Sequence, residues 1–151
     1  MQRIALSKGF FALVDDEDFE RLSGRAWHAT VKNDHTVYAR SAGEKMHRLV
    51  LGIAPDDPRE PDHRDGDGLN NQKANLRIAT KAQNQANRGP FKGRRFKGVY
   101  WHKGGSKWAA TITFENVRRH LGLFRTEEDA ARAYNEAARI THGEFARLND
   151  V

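Results

Sequence analysis

Asp62 and His63 stand side by side, Asn75 follows twelve residues after His63, and Asn84 nine residues after that. A carboxylate and an amide oxygen are hard donors, suited to Mg²⁺ that keeps several of its waters. An imidazole, with an ordinary pKa near 6.5, can take a proton from water at neutral pH. Beside a basic surface, such a set supplies what phosphodiester hydrolysis requires: charge neutralisation at the phosphate and a base that generates the nucleophile. Asp65 and Asp67 suggest a calcium loop, but no glutamate closes it at the required position, so they read as turn residues.

Elements must bring these residues together. Between Pro61 and Arg88 lie five of the chain's nine asparagines. "PDH" ends one strand, "RDGDGLNN" makes a turn rich in residues that tolerate positive φ, and "NLRIAT" returns as a second strand. Thr80, with Gln83 three residues on, opens a helix as a capping box. Asn84 and Arg88 are then one helical turn apart and share a face. Upstream, "RIALSKGFFALV" reads as a strand pair. Asp15 or Asp16 caps a short helix, "DEDFERLS", with Phe19 and Leu22 inward and Gly24 as its stop. "AWHATV" and "TVYARS" form a hairpin around "KNDH", and "KMHRLVLG" is a short buried helix ending at Gly52, in which His47 is expected to serve packing, with a place near the site as the alternative.

The 151 residues carry no cysteine, which excludes disulfides and thiolate chemistry. No apolar run approaches the roughly 20 residues of a membrane span, no leader is evident at the start, and a cytoplasmic setting is expected. The net charge of +6 is unevenly placed: residues 1–90 hold 14 Lys/Arg against 13 Asp/Glu, residues 91–151 hold 12 against 7. No acidic residue occurs between Asp67 and Glu115, where ten bases alternate with Phe91, Phe96, Tyr100, Trp101 and Trp108. That pattern points to a polyanion, nucleic acid first. No obligate protein partner is evident.

After a basic linker at 89–95, three alternating runs ("FKGVYW", "KWAATITF", "RRHLGLF") lead into a helix capped by Thr126 with Asp129 three residues on. Ala130, Ala133, Tyr134, Ala137 and Ala138 make its inward face. Alternation in "KWAATITF" puts Trp108, Ala110, Ile112 and Phe114 against that helix and Thr111 and Thr113 outward. The fold class expected is α+β: a strand–loop–strand–helix block (1–88, core 45–88), then a three-stranded antiparallel sheet packed on one helix (96–151).

Asp62-His63, Asn75-Leu76 and Asn84, with "MHRLVLG" upstream, resemble an HNH nuclease of the phage and intron homing-endonuclease branch, whose core is a ββα-metal motif. The resemblance implies His63 as general base, Asp62 and Asn84 as metal ligands, and Asn75 as the residue that ties the loop and helps orient His63. Since Asn84 stands where many relatives have His, one Mg²⁺ or Mn²⁺ per site is implied rather than zinc. "GVYW", "KWAA", "LGLF" and "TEEDAARAYNEAA" are similar to an AP2/ERF DNA-binding domain, in which the sheet enters the major groove of double-stranded DNA. That similarity implies a DNA face of Lys97, Tyr100, His102, Thr111, Thr113, Arg118 and His120; Arg88, Arg94, Arg95 and Lys107 are further candidates for phosphate contact.

The function expected is therefore a metal-dependent DNA endonuclease of nicking or homing type, encoded by a phage or mobile element. A regulator with an inactive HNH block is the alternative. RNA is disfavoured, because its deep, narrow major groove does not admit a sheet.

Overall fold

The computed structural model describes residues 1–32 and 36–151. The chain is mixed α and β, with small antiparallel sheets and few helices, and it divides into two compact units, Met1–Lys81 and Ala82–Val151.

The first unit begins with β1 (Gln2–Ala5) and β2 (Phe11–Val14), an antiparallel pair whose alternation buries Ile4, Ala12 and Val14. Helix α1 (Asp16–Ser23) follows, with three acids in its first turn, where the helix dipole favours them. Leu22 enters the core, and the buried Trp27 indole donates to the Leu22 carbonyl at 2.8 Å, satisfying one of the open acceptors at the helix end. Asp15 occupies the N-cap position, but its carboxylate does not cap. It accepts instead from Lys73 N at 2.8 Å and Gln72 Nε2 at 3.2 Å.

A second sheet has the order β3 (His28–Lys32), β4 (Thr36–Ser41), β5 (Glu44–Lys45). Of the turn "KNDH", Asn33, Asp34 and His35 lie outside the described residues. The short α2 (Met46–Val50) buries Met46, His47 and Val50. β6 (Glu60–His63) pairs antiparallel with β7 (Leu76–Ala79), setting Asp62 opposite Arg77 and His63 opposite Leu76.

All of α3 (Lys81–Ala86) except its first residue falls in the second unit. The helix closes at Ala86, so Arg88 lies beyond it and shares no helical face with Asn84. The helix expected to run through Arg88 is cut short by a turn at Asn87 and irregular backbone from Arg88 onward.

The second unit orders its strands β10 (Val117–Phe124), β9 (Lys107–Phe114), β8 (Val99–His102), all antiparallel. Glu115 and Asn116 both take positive φ (48° and 63°), as a two-residue hairpin turn of the favoured hand requires. Helix α4 (Glu127–His142) is capped by Thr126, whose Oγ1 accepts from Asp129 N at 3.1 Å, and it buries Ala130, Ala131, Tyr134, Asn135 and Ala138.

Simple alternation fails along β9. Ala109, Ala110, Thr111 and Ile112 are all buried in succession, while Phe114 is 40% exposed. Ala109 and Thr111 are small, and their cross-strand neighbours Tyr100, Leu123 and His120 are larger and cover them. Phe114 is the last residue of the strand, and its ring lies 6.2 Å from that of His142 at the end of α4.

Asn149 knits the end of the chain to the unit: it accepts from Lys97 N at 2.7 Å, donates to Lys97 O at 3.1 Å, and exchanges bonds with Asn135 at 2.7 and 2.9 Å. Gly98 marks the tightest packing. A Cβ there would lie 2.2 Å from Tyr134 Cδ2 and 2.5 Å from the Thr111 carbonyl, at φ +75°. We expect Gly98→Ala to destabilise this unit by about 1–3 kcal/mol or more, through overpacking and strain. A lowered unfolding midpoint in thermal or denaturant melts checks this; an unchanged midpoint refutes it.

Candidate functional site

His63 and Asp62 lie on β6, and both are 5% exposed. Burial of the Asp62 carboxylate is compensated by Arg77, directly across the hairpin, whose Nε donates to Oδ2 at 2.7 Å. Removing one partner of such a pair typically costs about 3–5 kcal/mol, because the other charge is left buried and alone. Arg77 thus fixes Asp62 and permits its burial.

The imidazole of His63 is held by Asn71, with Nε2 3.2 Å from Asn71 Oδ1. Asn71 is 1% exposed, and its own placement is determined from two directions. Its backbone N–H donates to the Leu13 carbonyl at 2.8 Å, and its Nδ2 donates to the Leu69 carbonyl at 3.2 Å. Because a carbonyl only accepts, the amide nitrogen must face Leu69, which turns the amide oxygen toward His63. An oxygen acceptor requires Nε2 to carry the proton, so Nδ1 is the basic nitrogen of the neutral ring.

The loop from Arg64 to Asn75 is docked rather than open. Leu13 N donates to Leu69 O at 2.8 Å, forming with the Asn71 bond a parallel bridge onto β2. Asp15 holds Gln72 and Lys73 through its carboxylate, and the Lys73 ammonium pairs with Glu17 at 2.6 Å and with the buried Asp18 at 3.5 Å. At Gly68 the loop approaches β4 so closely that a Cβ would lie 2.3 Å from the Val37 carbonyl and 2.8 Å from the Tyr38 ring. Within the loop, Asn75 ties the chain: Nδ2 donates to Asp65 Oδ1 at 3.0 Å and Asn70 O at 2.8 Å, and Oδ1 accepts from Asp65 N at 3.2 Å. Asn75 acts on loop shape, and Asn71 is the hydrogen-bond partner of the ring's Nε2.

Two further rings enclose His63. His47 lies 5.1 Å away, centroid to centroid, and Tyr38 5.9 Å, with Tyr38 and His47 themselves 5.5 Å apart. Of the two places open to His47, helix packing and a position near the site, the structure gives it the second as well: its ring lies against the candidate base. Burial pushes His47 down from 6.5 to about 3, and His63, Lys45 and Arg48 act in the same direction. Burial also lowers His63, partly offset by its bond to Asn71 and by Asp65, Asp62 and Asp67. Both imidazoles are neutral near pH 7.

Among the described residues no three His, Cys, Asp or Glu side chains form a metal cage. Asp62 offers a carboxylate oxygen and Asn84 an amide oxygen, each a hard donor of the kind Mg²⁺ or Mn²⁺ takes. Asn84 stands on α3, in the second unit.

In the second unit Tyr100, His102, Thr111, Arg118, His120 and Leu123 line an open groove of about 460 Å³. Arg118 Nη2 donates to Thr111 Oγ1 at 3.2 Å and its guanidinium lies 5.2 Å from the Tyr100 ring centre, with Arg94 at 5.8 Å from the same ring. His102 Nδ1 accepts from Gly105 N at 3.0 Å. Thr113 and Lys107 are exposed on β9, opposite Arg118 and His102 respectively. Arg95 pairs with Glu128. Lys97 turns away from solvent: its ammonium donates to the Gln85 carbonyl at 3.2 Å and to the Ala86 carbonyl, and burial, aided by Arg147 and Arg88, pushes it down to about 8. This removes Lys97 from the expected face. A lysine near helix-end carbonyls is drawn to their negative dipole, and sequence spacing does not show that proximity.

The hydrogen bonding around His63 can be read in long-range ¹H–¹⁵N spectra, where the ring should show the Nε2–H tautomer. Asn71→Asp, which keeps an acceptor, should retain it, and Asn71→Leu should lose it. An Nδ1–H wild type contradicts the assignment. The second expectation concerns pH: an unfolded His47 titrates near 6.5 and the folded one near 3, so the unfolded state binds more protons in that window. The His47 contribution to stability is complete above about pH 6.5 and is lost as the pH falls through the window, and His47→Leu should flatten that dependence in denaturant titrations.

Over 149 residues, 95% of this chain, the sequence is 30% identical to an uncharacterised HNH endonuclease of Acanthamoeba polyphaga mimivirus and covers 77% of it. An ethylene-responsive transcription factor of Medicago truncatula is 38% identical over 93 residues, and one of Lotus japonicus 40% over 89. These plant matches take in 55% and 53% of this chain but only 32% of either factor's length. No family profile and no solved structure matches the chain. With a buried Asp-His pair on a hairpin and a viral HNH endonuclease 30% identical along 95% of this chain, the chain belongs to the HNH endonuclease family.

Proposed function

We propose that the protein is a metal-dependent DNA endonuclease in which a ββα-metal block, β6, β7 and α3, cuts one phosphodiester and an AP2-like sheet module binds duplex DNA. The carrying observation is the buried His63 imidazole, held by Asn71 on its Nε2 side, next to the Arg77-anchored Asp62.

His63 Nδ1 takes the proton of the water that attacks phosphorus. Its depressed pKa keeps it unprotonated and ready near neutral pH. Asp62 and Asn84 are the ligands that would hold one Mg²⁺ or Mn²⁺, whose chemistry is to neutralise charge on the phosphate and the departing oxygen. Asn75 keeps the loop in shape through Asp65 and Asn70. On the sheet, Tyr100, His102, Thr113, Arg118 and His120, with Lys107 and Arg94, face the DNA; Thr111 supports Arg118 from beneath. Arg88 and Arg95 contribute positive charge at the module's edge. The plant relatives' names support a DNA partner, and the basic composition of residues 91–151 supports phosphate contact.

One nuclease block per chain implies nicking by a monomer, without an obligate protein partner. The viral relative favours a phage or mobile-element origin and action in a host cytoplasm. Among the described residues no helix is long and apolar enough to cross a membrane.

A supercoiled plasmid incubated with Mg²⁺, Mn²⁺ or EDTA tests the reading. Open circles should form with metal only, and His63→Ala should cut roughly 10²–10⁴-fold more slowly while binding DNA as before. Cleavage at the parent rate by His63→Ala would falsify the mechanism. Binding without cleavage in either metal would favour the regulator.

A further inference from the structure

Every residue expected to touch DNA lies at position 88 or later, yet the first unit carries a basic surface of its own. Along β4, Thr36, Tyr38 and Arg40 point to one face of the β3–β4–β5 sheet, while Val37, Ala39 and Ser41 point to the other, where Ala39 and Ser41 are buried. The register sets His28, Arg40 and Lys45 directly opposite one another in a row across the three strands, and Lys32 lies on the same face of β3. Among the described residues of these strands that face carries no carboxylate; Glu44 is on the opposite face and pairs with Arg25.

Arg40 facing Lys45 is a like-charge cross-strand pair, an arrangement that lowers sheet stability. Lys45 responds to its surroundings: burial pushes its ammonium down from the usual value, Lys32, Arg40 and Arg48 push it further, and only Glu60 opposes them. The cations are thus close enough to repel one another. An anion laid across the row would relieve that repulsion.

The location supplies the purpose. Tyr38, on the same face and one alternation from Arg40, puts its ring 5.9 Å from the ring of His63 and 5.5 Å from that of His47. Through Tyr38 the basic row therefore adjoins the hairpin that carries the buried candidate base, within a single unit.

We propose that Lys32, Arg40 and Lys45, with His28 beside them, form a second DNA surface that holds backbone phosphates of the duplex and leads the strand to His63. This rests on the endonuclease reading above. Recognition is by charge and is independent of sequence, since phosphates carry no base information. The sheet module then selects and grips the duplex, while this row aligns the backbone at the point of cutting.

The test uses the full chain carrying Lys32→Gln, Arg40→Gln and Lys45→Gln together, with a mixed-sequence duplex as probe. Binding is measured in EDTA by fluorescence anisotropy over a salt series, so that cleavage plays no part. The slope of log K against log salt should become shallower by about 0.9 for each phosphate no longer neutralised, two to three phosphates in all. Under cleavage conditions KM should rise while kcat is retained. The unfolding midpoint should hold or rise, because a repulsion has been removed; a role in folding alone would lower it. Conservative exchanges (Lys32→Arg, Arg40→Lys, Lys45→Arg) should keep the parent slope. Should the triple variant unfold, Arg40→Gln alone should still make the slope shallower by about 0.9. A slope unchanged in a folded variant overturns the surface and leaves the endonuclease reading standing. Failure of the parent chain to bind duplex DNA overturns both.

Discussion

The docking of the Arg64–Asn75 loop onto strand β2 is the constraint on which the candidate site depends. Leu13 gives its N–H to Leu69 and its carbonyl to Asn71, so the loop behaves as a short added strand. Through Asn71 that bridge reaches the imidazole of His63, and through Asp15 it extends to Gln72 and Lys73. Backbone hydrogen bonds of this kind are poorly solvated and hard to break one at a time, which makes them good supports for a catalytic group. The amino-terminal strands and α1, remote in sequence from Asp62 and His63, are in this sense part of the site's foundation.

Electrostatics at the site follow a consistent rule: every buried ionisable group is either kept neutral or given a partner. His47 and His63 are neutral through burial. Asp62 has Arg77, and the buried Asp18 has Arg21 and Lys73. The exposed faces are organised differently. There, cations gather without carboxylates among them, on the β3–β4–β5 sheet as well as on β8–β10, and their mutual repulsion is tolerated at the surface because water screens it.

Much of this was legible in the sequence where a local rule applied. The α1 and α4 helices, the Thr126 cap and the three strands of the second unit rest on periodicity and capping, which act within a few residues. The pairing of Asp62 and His63 on a hairpin strand was legible for the same reason. What escaped was long-range. Asp15 had every local feature of a cap, but a backbone N–H fifty-eight residues away competed for its carboxylate. Asn71 looked like one more turn residue until its three bonds were seen together. For His47 the sequence favours packing on a short helix over a place near the site, and only the fold puts its ring against His63. On β9, alternation misjudged Thr111 and Phe114, because burial there depends on the sizes of cross-strand neighbours.

The ammonium of Lys97 sits on the last carbonyls of α3, and the backbone N–H of Arg147 donates to Ala86 at 3.3 Å. A stretch that reads as a flexible tether is thereby anchored at both ends of the sheet module's own sequence. Anyone grafting this module onto another protein should therefore place the seam before Ala82 rather than at the glycine and proline of 89–90. A graft begun at the later point would carry a half-buried lysine stripped of its acceptors, and the transplanted sheet would bring a liability in place of a clasp.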